Sequence, residues 1–459
     1  MDRRFVGVLL SFAVAAAIWL MPLPGDLSTA GRQTLAVTVF TVIWWVFAVV
    51  PPAYATLLML VSYIVLGLAP PEVVFRIWTT PLIWLIIAAF LIATAVTKSG
   101  LAHRVAYFFM IRYATSYRSL IALTYVLGFV LSLLIPHPFP RALILMAVVG
   151  VIIQKAGMNK ADAASLGLSV FVATTVTSMI LLTGDSTLNI ATVGISGVSV
   201  GWLAWAWYMA VPGMIASLLM MGLHMLVFRQ TGSCAGGSCG ARMERQKLGS
   251  ITRRELVTLV WVLIALVLWI TDFIHHVDPA WAALGVVVGL SLPVVGDVLD
   301  AKDISTGVNW PIILFVTGAL AIGTVGKLTG MSEWLASILL PATPPDNPYA
   351  FAALVGGATM LIHMVLGSAL ACLSIVAPPM VHYAAQTGWS PLVPALLVYT
   401  AVAIHYLFPF QQVTILLGQG ETGGYDTRHV FKYGLPLTLV VLFVLIVVEV
   451  SWWKLTGLF

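Results

Sequence analysis

An arginine within otherwise apolar sequence is the first residue to explain. Arg141 ends the run Pro136-His137-Pro138-Phe139-Pro140-Arg141. A cation at membrane depth costs roughly 2.5–3.5 kcal/mol on insertion scales, so something must compensate it. An anionic substrate would, because the planar guanidinium offers two parallel hydrogen bonds. A pair with Asp185 would also, and snorkelling to the surface is a third outcome. Asp185 lies in the polar run Thr183-Gly184-Asp185-Ser186-Thr187-Leu188-Asn189. It can neutralise Arg141, bind a cation or carry a proton. His137 suits proton coupling, since imidazole titrates near neutrality, or it serves only as a hydrogen-bonding turn residue. Ser186, Thr187, Asn189, Ser368, Gln411, Gln412 and Thr414 supply hydroxyls and amides for a polar substrate, although Ser and Thr in spans often bond only their own helix. There is no Gly-x4-Gly-Lys-Ser/Thr loop, no His-Glu-x2-His and no paired Asp motif, so the sequence argues against an enzyme and names no catalytic residue or metal ligand.

The elements that position these residues are membrane spans. The chain is 61% hydrophobic and 8% charged, against roughly 25% charged in soluble domains. Spans are expected near 5–22, 33–50, 52–69, 81–98, 161–182, 203–228, 255–271, 279–296, 310–327, 391–408 and 433–453, about 11 transmembrane helices in an all-α polytopic protein. Acids other than Asp185 are expected only in loops and at span ends. The +5 net charge does not indicate nucleic acid, because the basic residues sit in particular loops. Arg3 and Arg4, Lys98 to Arg118, Lys155 and Lys160, and Arg229 to Arg254 fall on one side, while the loops 194–201 and 275–280 carry neither Lys nor Arg. That asymmetry puts the N-terminus in the cytoplasm of, by expectation, a bacterial inner membrane. Arg3-Arg4 before an apolar run resembles a signal peptide, but an uncleaved first helix is the better reading. Cys234 and Cys239 lie in a Gly-rich stretch that reads as a flexible linker rather than a metal clip.

Two apolar regions, 119–154 and 349–387, are too long for one crossing and are interrupted centrally, at Pro136–Arg141 and at Gly367-Ser368. Each reads as a re-entrant hairpin, tolerated only where protein or a cavity satisfies the backbone. The spans 161–198 and 391–420 read as broken helices. The stretch Pro81 to Gly100 matches Pro311 to Gly330 in Pro-to-Gly spacing, and Pro52-Ala53-Tyr54-Ala55 echoes Pro279-Ala280-Trp281-Ala282. Two repeats of inverted topology are therefore expected, the arrangement of secondary transporters. The organisation is 1–32, a first helix and loop; 33–228, the first repeat; 229–252, a cytoplasmic linker; and 253–459, the second repeat.

This layout, with Trp44-Trp45, Gly100-Leu101, Gly330-Met331 and Trp452-Trp453, resembles the divalent-anion:sodium symporter family, which carries sulfate and di- and tricarboxylates. The resemblance implies an elevator-type transporter, a homodimer, and hairpin tips bearing Ser-Asn-Thr motifs that hold sodium and substrate. Aligned on those tips are Pro136-His137-Pro138 and Ser368-Ala369-Leu370, which adds Pro138 and Ala369 to the candidate residues. Neither tip keeps its Asn, and His137 replaces one of them. The expectation is therefore a small-anion carrier with no cofactor that runs without sodium, by proton coupling or exchange. The alternatives are a sodium-coupled symporter and a cation/proton antiporter with Asp185 as carrier.

Overall fold

The computed structural model describes residues 2–20, 25, 27–230 and 249–459. Most of the expected 229–252 linker, with Cys234 and Cys239, lies outside the described residues. The fold is all-α. Ten described helices are long and apolar enough to cross a membrane, and the described residues contain no β-sheet, only an isolated bridge between Gln419 and Tyr425.

In chain order come α1 (Arg3–Leu20), α2 (Thr29–Phe47), α3 (Pro52–Val65), α4 (Pro81–Ser99), α5 (Leu101–Tyr113), α6 (Tyr117–Ser132), α7 (Pro138–Lys155), α8 (Lys160–Val176), α9 (Leu188–Ser196) and α10 (Trp202–Val227). Then follow α11 (Arg253–Ile270), α12 (Pro279–Ser291), α13 (Trp310–Thr329), α14 (Met331–Leu339), α15 (Pro348–Leu366), α16 (Ala369–Ala384), α17 (Leu392–Ala403), α18 (Val413–Gly418) and α19 (Thr427–Phe443). A π-turn, Val444–Glu449, continues α19 into α20 (Val450–Thr456).

The punctuation is local chemistry. Proline occupies the first turn of α3, α4, α7, α12, α13 and α15, where its missing N–H has no intrahelical partner to lose. Gly100 and Gly330 stop α4 and α13 at φ +82° and +79°, a left-handed conformation that glycine adopts without a Cβ penalty. Both turns start a further short helix, α5 and α14, which the apolar runs alone did not mark out. The expected spans 52–69 and 279–296 are helical only as far as Val65 and Ser291.

The two halves of the chain pack in exchanged pairs. α12 lies against α4, and α13 against α3. α9 packs on α16 and α17 of the second half, whereas α18 packs on α7 and α8 of the first. These interlocked segments form the core: α8 is buried along almost its whole length, and every residue of α17 is buried. α1 is largely exposed, as a helix facing lipid would be. One expectation needs correcting. Glu449, two turns inside the end of the last long helix, is fully buried, so acids are not confined to loops and span ends.

Candidate functional site

In the first half the polar residues meet where α7 begins and α8 ends. His137 caps α7, its Nδ1 accepting from the Phe139 amide at 3.3 Å, and Pro138 takes the first helical position. The half-buried His137 ring lies 5.6 Å from that of Phe90 on α4. One turn into α7, Arg141 is fully buried. Its Nη2 donates to the Thr174 carbonyl at 3.1 Å and to Ser178 Oγ, both at the end of α8. Its Nε and Nη1 have no partner.

The chain opens between α8 and α9. After Val176 come two 3-10 turns, Thr177–Met179 and Leu182–Asp185. Asn189 ties this segment together: its amide donates to the carbonyls of Ser178, Leu181 and Leu182 at 3.0, 2.9 and 3.2 Å. Gly184 is required there, because a Cβ would lie 2.2 Å from the Ser178 carbonyl oxygen. The hairpin turn and the break touch directly, the Ser186 amide donating to the Pro136 carbonyl at 3.1 Å. Three buried oxygens here receive no hydrogen bond: Ser186 Oγ, Thr187 Oγ1 and Asn189 Oδ1.

Asp185 lies within electrostatic reach of Arg141 and His137 but makes no ion pair with Arg141. Its Oδ1 instead accepts from the Thr187 and Leu188 amides at 3.0 and 3.1 Å, capping α9. Of the three alternatives for Arg141, the direct pair with Asp185 is not formed, and the two interact only at longer range. The physical reason is that two unsatisfied amides at the helix start compete for the carboxylate.

The second half is built differently. Ser368 caps α16 by accepting from Ala371 N, and Ala369 is its first residue. Gly367 lies against Phe410, since a Cβ there would be 2.9 Å from the ring. Gln411 Oε1 accepts from the Leu407 and Phe408 amides at 2.7 and 2.8 Å, leaving Nε2 buried and unpartnered. Gln412 Nε2 donates to the Ala403 carbonyl at 2.8 Å, and Thr414 is buried. His363 fastens α15 to this break through Nε2 and the Gln411 carbonyl, 3.1 Å apart. No hydrogen bond or ion pair among the described residues joins the second-half candidates to Arg141. Two hollows of about 460 and 370 Å³ lie elsewhere, the first between one face of α7 and Glu421–Gly424, the second between Asp162, Ser165, Phe228 and the first turns of α19. None of the residues around either break lines them.

Around the first break, then, lie a buried guanidinium with two unpartnered nitrogens and three buried side-chain oxygens that receive no hydrogen bond. The model of the sodium:sulfate symporter transmembrane region matches residues 2–459. The chain belongs to that family. Among its relatives, the putative malate transporter YflS of Bacillus subtilis is 22% identical, covering 99% of this chain and 97% of its own. The sodium-dependent dicarboxylate transporter SdcS of Staphylococcus saprophyticus is 25% identical over 72% and 69%. Among solved structures, Neisseria gonorrhoeae MtrF, described as illuminating a class of antimetabolite efflux pumps, shares the fold, with a TM-score of 0.56 at 12% identity over 98% and 94% of the chains. Membership of a symporter family agrees with the lack of catalytic motifs, and this protein is not an enzyme.

Sequence reasoning missed Thr174 and Ser178, which hold Arg141, and Tyr399, within electrostatic reach of it; elsewhere in the fold it missed the burial of Glu449. The run Thr174-Thr175-Val176-Thr177-Ser178 was a visible signal, a cluster of hydroxyls at the end of an apolar helix. Glu449 stood out too, as the one acid in Val440–Val450.

Proposed function

We propose that this protein is a secondary transporter of a small dicarboxylate-like anion, held at Arg141 and driven by sodium. The observation that carries the reading is the buried Arg141 guanidinium with Nε and Nη1 unpartnered, because a cation so placed calls for an anion with two acceptor oxygens. Pro138, Ser368, Ala369, Gln411, Gln412 and Thr414 complete the substrate lining, with Gln411 Nε2 as a second donor. The names of the malate and dicarboxylate relatives support the substrate class.

Sodium is favoured over the sodium-independent mode by the family's description and by the name of the Staphylococcus relative. Ser186 Oγ, Thr187 Oγ1 and Asn189 Oδ1 fit as its oxygens, since a hard cation takes neutral oxygen donors. A sodium-independent mode is the second reading, favoured by His137 and Pro138 in place of the Ser-Asn-Thr tip.

Inverted repeats spanning 33–228 and 253–459 belong to the same proposal, supported by the exchanged packing of α9 and α18. So do re-entrant hairpins at 119–154 and 349–387, an elevator-type movement, a homodimer and a cytoplasmic N-terminus in a bacterial inner membrane. The test is uptake of labelled succinate or malate into proteoliposomes, with external sodium replaced by potassium. Loss of uptake is the expected result. Undiminished uptake would select the sodium-independent reading, and no uptake of any di-anion in either salt would remove the proposal.

A further inference from the structure

The hollow of about 370 Å³ is built where three helix ends meet, with α19 packed on both α8 and α10. The start of α8 contributes Asp162, the chain leaving α10 contributes Arg229, and the first turns of α19 contribute Asp426, Arg428 and Lys432. Its two carboxylates are already used. Asp426 Oδ1 accepts from the Arg428 and His429 amides at 2.9 and 3.1 Å and lies 2.7 Å from the His429 ring Nδ1. Asp162 is buried and accepts from Asn159 Nδ2 at 2.9 Å, within the cap that starts α8. The cations are not used in this way. Among the described residues no carboxylate pairs with the side chain of Arg229, Arg428 or Lys432, and Lys432 rests over the Phe228 ring, 5.3 Å from its centroid. The hollow therefore presents three positive charges without a counter-charge.

Its place in the fold says what kind of anion fits. α8, α10 and the α19–α20 unit are each long and apolar enough to cross a membrane, so their meeting ends lie at the edge of the apolar layer. Arg428, Lys432, Leu435 and Leu439 fall at i, i+4, i+7 and i+11, one face of α19. Leu435 and Leu439 are exposed, so the face that carries the cations runs on into apolar surface. A water-soluble anion would use only the cations, whereas a lipid uses both parts of this face. The chain's own 229–252 linker has the wrong sign to fill the hollow, with Arg242, Arg245 and Lys247 against a single acid, Glu244. Basic pockets between membrane helices take acidic lipid headgroups.

We propose that this hollow binds an anionic phospholipid, its headgroup phosphate held by Arg229, Arg428 and Lys432 and its acyl chains lying along Leu435 and Leu439. The bound lipid joins the end of α10 to the start of α19. This site is separate from both breaks and depends on neither the Arg141 nor the sodium reading.

The experiment is native mass spectrometry of delipidated full-length protein in neutral detergent, titrated with phosphatidylglycerol or with phosphatidylcholine. Wild type should retain phosphatidylglycerol in preference to phosphatidylcholine, and inorganic phosphate should not displace it. Each cation beside an anionic headgroup contributes about fivefold in affinity. Arg428→Gln combined with Lys432→Gln should therefore weaken phosphatidylglycerol binding roughly 25-fold. Arg112→Gln combined with Arg254→Gln, which removes two exposed cations outside the hollow, should leave it unchanged. Equal retention of both lipids, equal weakening by the two double variants, or no weakening by the first would overturn the proposal. Displacement by inorganic phosphate would assign the hollow to a free anion and overturn the lipid. Should the first variant fail to fold, photo-crosslinking of wild type to phosphatidylglycerol with a diazirine near its headgroup decides the matter. Adducts within 161–165, 227–229 or 426–432 support the site, and adducts confined to other segments overturn it.

Discussion

Replacing Arg141 by methionine separates the two accounts of this residue, because they predict opposite signs in the anion-free protein. Methionine keeps much of the length and removes the charge. In the structure the guanidinium makes no ion pair, and its two hydrogen bonds go to neutral groups. Its removal leaves no orphan, since Ser178 Oγ already donates to the Thr174 carbonyl at 2.6 Å. The anion-free variant should therefore be as stable as wild type or more so. Were Arg141 instead half of a buried ion pair, removing it would cost about 3–5 kcal/mol.

Anion binding should respond in the other direction. Nε and Nη1 are free to make two charge-assisted hydrogen bonds, each contributing about 1.5–3 kcal/mol. Losing both weakens binding by about 3–6 kcal/mol, which at 1.4 kcal/mol per decade is roughly 10²- to 10⁴-fold. The assay is thermal unfolding of detergent-purified protein titrated with succinate, followed by calorimetry for affinity. A variant that loses several degrees without anion, yet keeps the succinate-induced shift, would refute the assignment and make Arg141 structural.

Three further outcomes follow from the packing. Gly167→Ala should cost more than about 3 kcal/mol in thermal unfolding or prevent folding, because its Cβ would lie 1.8 Å from the Gly423 carbonyl oxygen. Asn189→Ala should cost about 1–3 kcal/mol, since three buried carbonyls lose their donor, and it should also reduce the sodium-stimulated fraction of uptake. The His429 amide, then its ring, hold the Asp426 carboxyl below its usual range. Its capping of α19 is therefore fully present above an ordinary Asp pKa of about 3.9 and is lost as pH falls through the lower folded value. Hydrogen exchange in the first turn of α19 should rise at that point, and Asp426→Ala should produce the same rise at neutral pH.

Helix content and many boundaries were readable because their signals are local. The Pro81–Gly100 and Pro311–Gly330 pattern marks where α4 and α13 begin and end to within a residue. The cluster 183–189 was readable for the same reason, as several polar residues together in apolar sequence. What the sequence did not reveal depends on tertiary geometry. Asp185 and Arg141 are opposite charges with an evident motive to pair, yet the nearest amides to Asp185 are those of Thr187 and Leu188. Glu449 reads as a near-terminal acid until α10, α15 and α17 are seen to enclose it. Tyr399 carries no sequence signal, because its burial follows from the packing of α17 between α9 of the first half and α15 and α16 of the second.

The two breaks also differ in chemistry more than their parallel placement suggests. Around the first, Asn189 spends its amide hydrogens on three carbonyls and leaves its oxygen free, beside the free oxygens of Ser186 and Thr187. Around the second, Gln411 does the reverse. Its oxygen accepts from two backbone amides, and its nitrogen is left free. A side-chain amide has both an acceptor and a donor end, so the backbone it must satisfy decides which end remains for a ligand. On the proposed function, the free oxygens of the first break would suit a cation, and the free Gln411 nitrogen of the second would add a donor for the anion held at Arg141. That asymmetry arises from how each break satisfies its own backbone, which is why a likeness in layout between the halves does not carry over to the ions they would hold.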